Sequence, residues 1–180
     1  MSIGLKRGEV AVENHQIEWE ISAKNIIDLL KNTLKDDIVD AQHIGSTSIK
    51  SICAKPIIDI VVGVNDFNDI LKHNDELSKV GIIYRRQDHP NQQLYICGDL
   101  QNNIQTHFIH VVIFNSKQWH DYINMRDYLN ENQANEYSNL KIALAKKYPN
   151  DRIAYTQAKS KLIEEILNSA AIWRKTNVIE

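Results

Sequence analysis

From Ile17 to Leu34 the apolar positions Ile17, Ile21, Ile26, Ile27, Leu29, Leu30 and Leu34 recur mostly every three or four residues, with Glu and Lys between them. That period predicts an amphipathic helix whose apolar face needs a sheet or another helix. The period then changes. Ala41 to Ser46 reads as a short strand that breaks at Gly45, and Pro56 to Gly63 is a nearly continuous apolar, β-branched run. Such a run predicts a strand buried on both faces. A helix is expected from Asn65 or Asp66 to Lys79, closed by Gly81, with strands over 82–86, 93–97 and 107–114. Turn-forming residues from Gly98 to Asn103 separate the last two strands.

Beyond Ser116, a predicted N-cap, helical spacing takes over. One helix is expected around Trp119, Tyr122, Ile123, Tyr128 and Leu129, a second around Tyr137, Leu140, Ile142, Leu144 and Ala145, and a long third from about Asp151 to Trp173. The order of elements places the fold in the α+β (mixed α/β) class: a mixed β-sheet with flanking helices and a helical C-terminal part from about residue 116. No linker or repeat is written in the chain, so its 180 residues are expected to form one domain with a sizeable core.

Composition narrows the partners. Lys and Arg number 21 against 23 acidic residues, so no global positive field draws the chain to duplex DNA or to anionic lipid. A local basic patch on a phosphate stays open. No window approaches the length of an apolar membrane span and the N-terminus lacks a signal-peptide pattern, which predicts a cytoplasmic protein. Cys53 and Cys97 have no metal-ligand or CxxC spacing and are read as small buried side chains.

Candidate chemistry is concentrated in one stretch. There is no phosphate loop of the GxxxxGK[ST] type, no GxGxxG, no HExxH and no GxSxG. Instead His43-Ile-Gly-Ser-Thr-Ser-Ile49 is followed by Lys55-Pro-Ile-Ile-Asp-Ile-Val61. Gly45 lets the backbone approach a ligand, while Ser46 and Thr47 offer hydroxyls and N–H groups to phosphate oxygens. Asp59, a carboxylate in an otherwise oily strand, needs a partner. A divalent cation such as Mg2+ or Mn2+, bridging to phosphates, would be one; Lys55 would be another, unless it contacts a phosphate itself.

The stretch HIGSTSIKSICAKPIIDIVV resembles the signature of the GrpB family, whose resemblance in turn implies the nucleotidyltransferase superfamily fold. Trp19, Asp88-His-Pro90, Thr106 to Val112, Arg126 to Leu129, Glu136 to Lys141, and Tyr155 with Lys159 are similar to further family landmarks. The resemblance implies a small nucleotide or phosphate ligand, nucleotidyl or phosphoryl transfer, and, through relatives fused to dephospho-CoA kinase domains, a ligand like coenzyme A. The chain departs from the pattern at Lys50-Ser51 (usually Pro-Gly), Gln92 (often Arg) and Phe108 (one of two histidines). Val61 stands where active nucleotidyltransferases carry a second strand carboxylate, so a two-metal clamp is short of oxygen ligands. A catalytically inactive binding or regulatory module on the same scaffold is the competing expectation.

His107 and His110 cannot share a face of a regular strand. The family position implies that His110 faces Asp59, as a metal ligand or general base; a core histidine bonded to backbone is the other reading. His43 and His89 sit at turns and are read either as phosphate or metal contacts or as structural residues. Arg126 is either a phosphate clamp or the ion-pair partner of Asp127. Tyr128, Lys141 and Lys159 either reach the same cleft from successive helices or serve packing and solvation. Trp19, Trp119 and Trp173 are read as core.

Overall fold

A computed structural model describes residues 3–132 and 134–177, with Asp88 described by its backbone alone. Its sheet grows from the apolar runs. Strands β2 (Asp40–Ile44), β3 (Ile58–Val64), β4 (Ile83–His89), β5 (Gln92–Cys97) and β7 (His107–Ile113) form a five-stranded sheet in the order β2-β3-β7-β5-β4. Only β3 and β7 run parallel; the other pairs are antiparallel. A second ribbon pairs β1 (Leu5–Lys6) with β6 (Ile104–Gln105). Two-residue strands carry no period, which is why the sequence pattern does not foretell that ribbon.

One face of the sheet is sealed by helix α1 (Ile17–Leu34) and by the short helices α2 (Asn68–Leu71) and α3 (Asn74–Lys79). Ile58, Ile60, Val62, Ile109, Val111 and Tyr95 meet Trp19, Ala23, Leu30, Leu34, Ile70 and Leu77 in the main core. The helix α1 turns its stripe slightly from the expected phase: Trp19 and Ala23 are buried, while Ile17 and Ile21 are more than half exposed. The single helix expected from Asn65 or Asp66 to Lys79 divides in two at Lys72–His73. Asp66 accepts from the Asn68 N–H at 2.7 Å and starts the first piece.

The opposite face is covered by α4 (Lys117–Glu131), α5 (Asn135–Lys147), α6 (Arg152–Ala158) and α7 (Ser160–Asn177). Ser116 caps α4, its Oγ accepting from the Trp119 N–H at 3.3 Å. The long segment expected from Asp151 breaks at Lys159 into α6 and α7. Trp19 and Trp119 are buried, and the half-buried Trp173 lies edge-on to Tyr128 at 6.0 Å. Cys97 is buried and burial pushes its thiol up to about 12; Cys53 is half-buried, with its thiol 3.3 Å from Asn14 Oδ1. Among the described residues no helix is long and apolar enough to cross a membrane. The helical face does not close completely over the sheet, and the gap it leaves is the site.

Candidate functional site

Register places the chemistry. Ile44 pairs with Asp59, Asp59 with Phe108, and Val61 with His110, so these side chains share the face that looks toward α4–α7. A cavity of about 280 Å³ opens there, lined by Gly45, Ser46, Lys55, Asp59, Phe108, His110, Tyr122, Arg126, Tyr137, Lys141, Tyr155 and Lys159 among others. Eight of the twelve candidate site residues read from the sequence, Gly45, Ser46, Lys55, Asp59, His110, Arg126, Lys141 and Lys159, thus meet in one hollow.

Gly45 is there for a steric reason. Its φ is +69°, and a Cβ would lie 2.5 Å from Asp59 Oδ2. The bend then runs into a short 3-10 turn, Ser46–Ser48, whose Ser48 Oγ donates to Gly45 O at 2.7 Å. Gly45→Ala combines a left-handed backbone with a clash, and is expected to lower stability by about 2 kcal/mol, read by urea denaturation. An unchanged midpoint would mean that the bend relaxes freely.

Asp59 ends a relay of polar side chains. Tyr122 donates its hydroxyl to Gln92 Oε1 at 2.8 Å, which turns the Gln92 amide nitrogen toward His110 Nδ1 at 3.2 Å. With Nδ1 accepting, the His110 proton sits on Nε2 and points at Asp59 Oδ1, 3.3 Å away. His107, three residues earlier and on the other face, instead bonds Ser22 Oγ at 3.0 Å and Thr106 at 2.9 Å, and burial holds its ring down at about 4.

Around that single carboxylate stand four cations. Lys141 is 1 % exposed, donates to Cys53 O and lies 5.1 Å from the Tyr137 ring. Burial, then Lys159 and Lys55, push its pKa down to about 7. Lys159 and Lys55 flank the Tyr155 ring at 4.5 and 5.2 Å. Burial brings each to about 8, helped for Lys55 by Lys159 and Arg152. Arg126 donates to Gln42 Oε1 at 2.7 Å and His43 O at 3.2 Å, and pairs with Asp127 at 2.7 Å. Tyr155 is fully buried, and its hydroxyl finds no partner among the described residues.

Other candidates lie elsewhere. The His43 ring points to the α1 face and meets Thr47 Oγ1 at 2.9 Å; burial holds it at about 4, so this neutral pair locks the bend from behind. Thr47 is buried and does not line the cavity. His89 is exposed at the end of the edge strand β4, beside Asp88, whose side chain lies outside the described residues. Tyr128 packs on Trp173. For these four the turn or helix face recognised in the sequence is present, but it faces away from the cavity.

Tyr122 and Tyr137, read from the sequence as helix positions and not as site residues, line the cavity, and a signal for this exists. Tyr122 and Arg126, Tyr137 and Lys141, Tyr155 and Lys159 are each four residues apart, and so share a helix face. Tyr148 and Arg152 have the same spacing across Pro149 and lie off the cavity.

The donors present fit an anion better than a divalent cation. Asp59 is the one carboxylate lining the cavity among the described residues, and Val61 beside it is buried with Ile44, Val112 and Trp119. Divalent cations of the magnesium type take several close oxygen ligands, and the surrounding ammonium groups oppose a second positive charge.

Sheet order, helical cover and the Gly-Ser bend beside a strand acid define a protein of the nucleotidyltransferase fold. A solved Cid1 poly(U) polymerase shares it, with a TM-score of 0.51 and 15% identity, covering 75% of this chain and 44% of that one. Within that fold the chain belongs to the GrpB family, whose model, described as GrpB protein, matches residues 9–169. It is 40% identical over 171 residues to the glutamate-rich protein GrpB of Alkalihalophilus pseudofirmus, covering 92% of this chain and 98% of that protein. A solved GrpB structure from Enterococcus faecalis superposes with a TM-score of 0.81 at 29% identity, over 89% of this chain and 96% of that one. The UPF0157 protein YqkA of Bacillus subtilis is 29% identical over 148 residues, which is 81% of this chain and 43% of that longer protein.

Proposed function

We infer that this protein is a binding module, built on the nucleotidyltransferase scaffold, for a phosphate-bearing small molecule such as a nucleotide. One observation carries the reading: Lys55, Lys141, Lys159 and Arg126 converge on a cavity holding a single acid. Desolvated ammonium groups repel one another and are stabilised when an anion enters between them. The fully buried, unpartnered Tyr155 hydroxyl is a donor waiting in the same place. The Ser46 turn adds a hydroxyl and N–H groups on the Gly45 side.

Nucleotidyl or phosphoryl transfer assisted by Mg2+ or Mn2+ is the second reading, favoured by the contact between Asp59 and His110. His110 Nε2 donates its proton to Asp59 and Nδ1 accepts from Gln92, so both ring nitrogens are engaged and His110 is not a ready base.

Calorimetry with inorganic phosphate and ATP, each with and without Mg2+, tests both readings, with pyrophosphate release followed in parallel. Binding without metal, weakened about tenfold or more by Lys159→Gln, is expected. Binding that requires Mg2+ and is accompanied by turnover would install the second reading instead, and no binding of either anion would overturn the first.

A further inference from the structure

A second hollow, of about 610 Å³, shares Phe108 and His110 with the cavity and continues away from it over β5 and β4. Its rim carries Arg7, Arg85, Arg86 and Arg152. Successive residues of a regular strand point to opposite faces, but the pairing of β4 with β5 shifts between Tyr84 and Arg86. An irregularity of this kind re-aims side chains, and here Arg85 and Arg86 both line the groove. Arg152 is fixed by neutral acceptors: Gln105 Oε1 at 2.7 Å, Lys6 O at 2.9 Å and Glu9 O at 3.2 Å. Asp151 is the one carboxylate among the described lining residues, and its Oδ1 is engaged by the Ala154 N–H at 2.9 Å. The floor between groove and cavity is Leu94, Ile96 and Phe108.

Register gives the distance. Arg86 pairs with Leu94, Leu94 with His110, and Asp59 lies on the next strand, β3. Three interstrand spacings separate β4, which carries the arginines, from β3, which carries Asp59 at the cavity wall, roughly 14 Å. The geometry points to an arginine subsite for the far end of the ligand: the protein binds an elongated small molecule with an anionic group at each end and a less polar middle over Phe108. One end sits among Lys55, Lys141 and Lys159, the other between Arg85 and Arg86. This rests on the phosphate-binding reading of the cavity and adds the shape and charge distribution of what enters it.

Three probes separate the two claims at one fixed salt concentration: octyl phosphate, octanediol phosphorylated at both terminal hydroxyls, and propanediol phosphorylated likewise. The octanediol bisphosphate spans the two subsites; the propanediol compound is too short. Calorimetry is expected to show the long bisphosphate binding at least about tenfold tighter than octyl phosphate, since the second contact is intramolecular once the first is made. The advantage should be absent for the short bisphosphate, whose two charges are equal but cannot reach. Arg85→Gln with Arg86→Gln, on an exposed edge strand, should erase the advantage and leave inorganic phosphate binding unchanged; Arg7→Gln should reduce it. Equal affinity of the two eight-carbon probes, or an advantage that survives the double substitution, overturns the arginine subsite while the cavity reading stands. Loss of inorganic phosphate binding to the parent protein removes both.

Discussion

Lys141→Met is expected to yield a protein more stable than its parent and, at the same time, unable to bind phosphate with normal affinity. The lysine is 1 % exposed, and burial holds its ammonium group near pKa 7 instead of 10.5. Keeping that charge folded in at neutral pH works against the native state, and two further lysines add to the repulsion. Methionine fills a similar volume without the charge and with an adaptable chain. It leaves the Cys53 carbonyl without its present donor, which offsets part of the gain. The net gain should be roughly 1–2 kcal/mol, within the range seen when buried charges are replaced by apolar side chains. Urea denaturation at neutral pH without phosphate measures the first effect, and calorimetry with inorganic phosphate the second, where a loss of about tenfold or more is expected. A variant that is less stable and binds normally would make Lys141 a structural hydrogen-bond donor to Cys53 and nothing more.

The second large effect is on pH. Sulfate is a useful probe because its charge is constant across the relevant range. Lys141 titrates at about 7 and Lys55 and Lys159 at about 8, and an anion is held only by their protonated forms. Sulfate affinity should therefore fall on the order of tenfold or more between about pH 6.5 and pH 8.5, with protons taken up on binding. The sign for stability is the reverse. Folding lowers these pKa values, so between about 7 and 10.5 the unfolded chain binds more protons than the native one, and stability of the unliganded protein from this source rises with pH. Thermal melts should thus show a benefit from sulfate that shrinks as pH rises, because affinity falls while the unliganded protein gains. A metal-dependent site behaves oppositely, since metal ligands must lose protons and cation affinity grows with pH. Sulfate affinity that is flat or rising across this window would remove the lysines from the binding site.

The chemistry of the two readings meets at Asp59. In an enzyme that clamps metal ions the strand would offer oxygens on alternate residues, but the alternate residue here is Val61, fully buried against Trp119 and its neighbours. The carboxylate that remains is held by a relay from Tyr122 through Gln92 and His110. Gln92 and Phe108 belong to this wall: one orients His110, the other bridges cavity and groove.

Much of this was legible in the sequence because periodicity is a local property. The spacing from Ile17 to Leu34 is enough for a helix, β-branched runs are enough for β3 and β7, and a glycine before three hydroxyl residues is enough for a bend. Alternation along β7 already forbids His107 and His110 from sharing a face. Which face looks into a cavity is not local. His43 and Thr47 lie within the same motif as Gly45 and Ser46, yet they point behind the sheet, because the strand pleat and the turn send neighbours in opposite directions. The break at Lys159, where α6 ends, has no glycine or proline to announce it, whereas the four-residue spacing that puts Lys159 over the Tyr155 ring is local. Above all, a lysine at a helical position reads in sequence as an ordinary surface cation. Only the tertiary arrangement that brings α5 and α6 to the same cavity as Asp59 withdraws Lys141 and its neighbours from water and concentrates their charge on one hollow, because desolvation is set by what the rest of the chain places around a group.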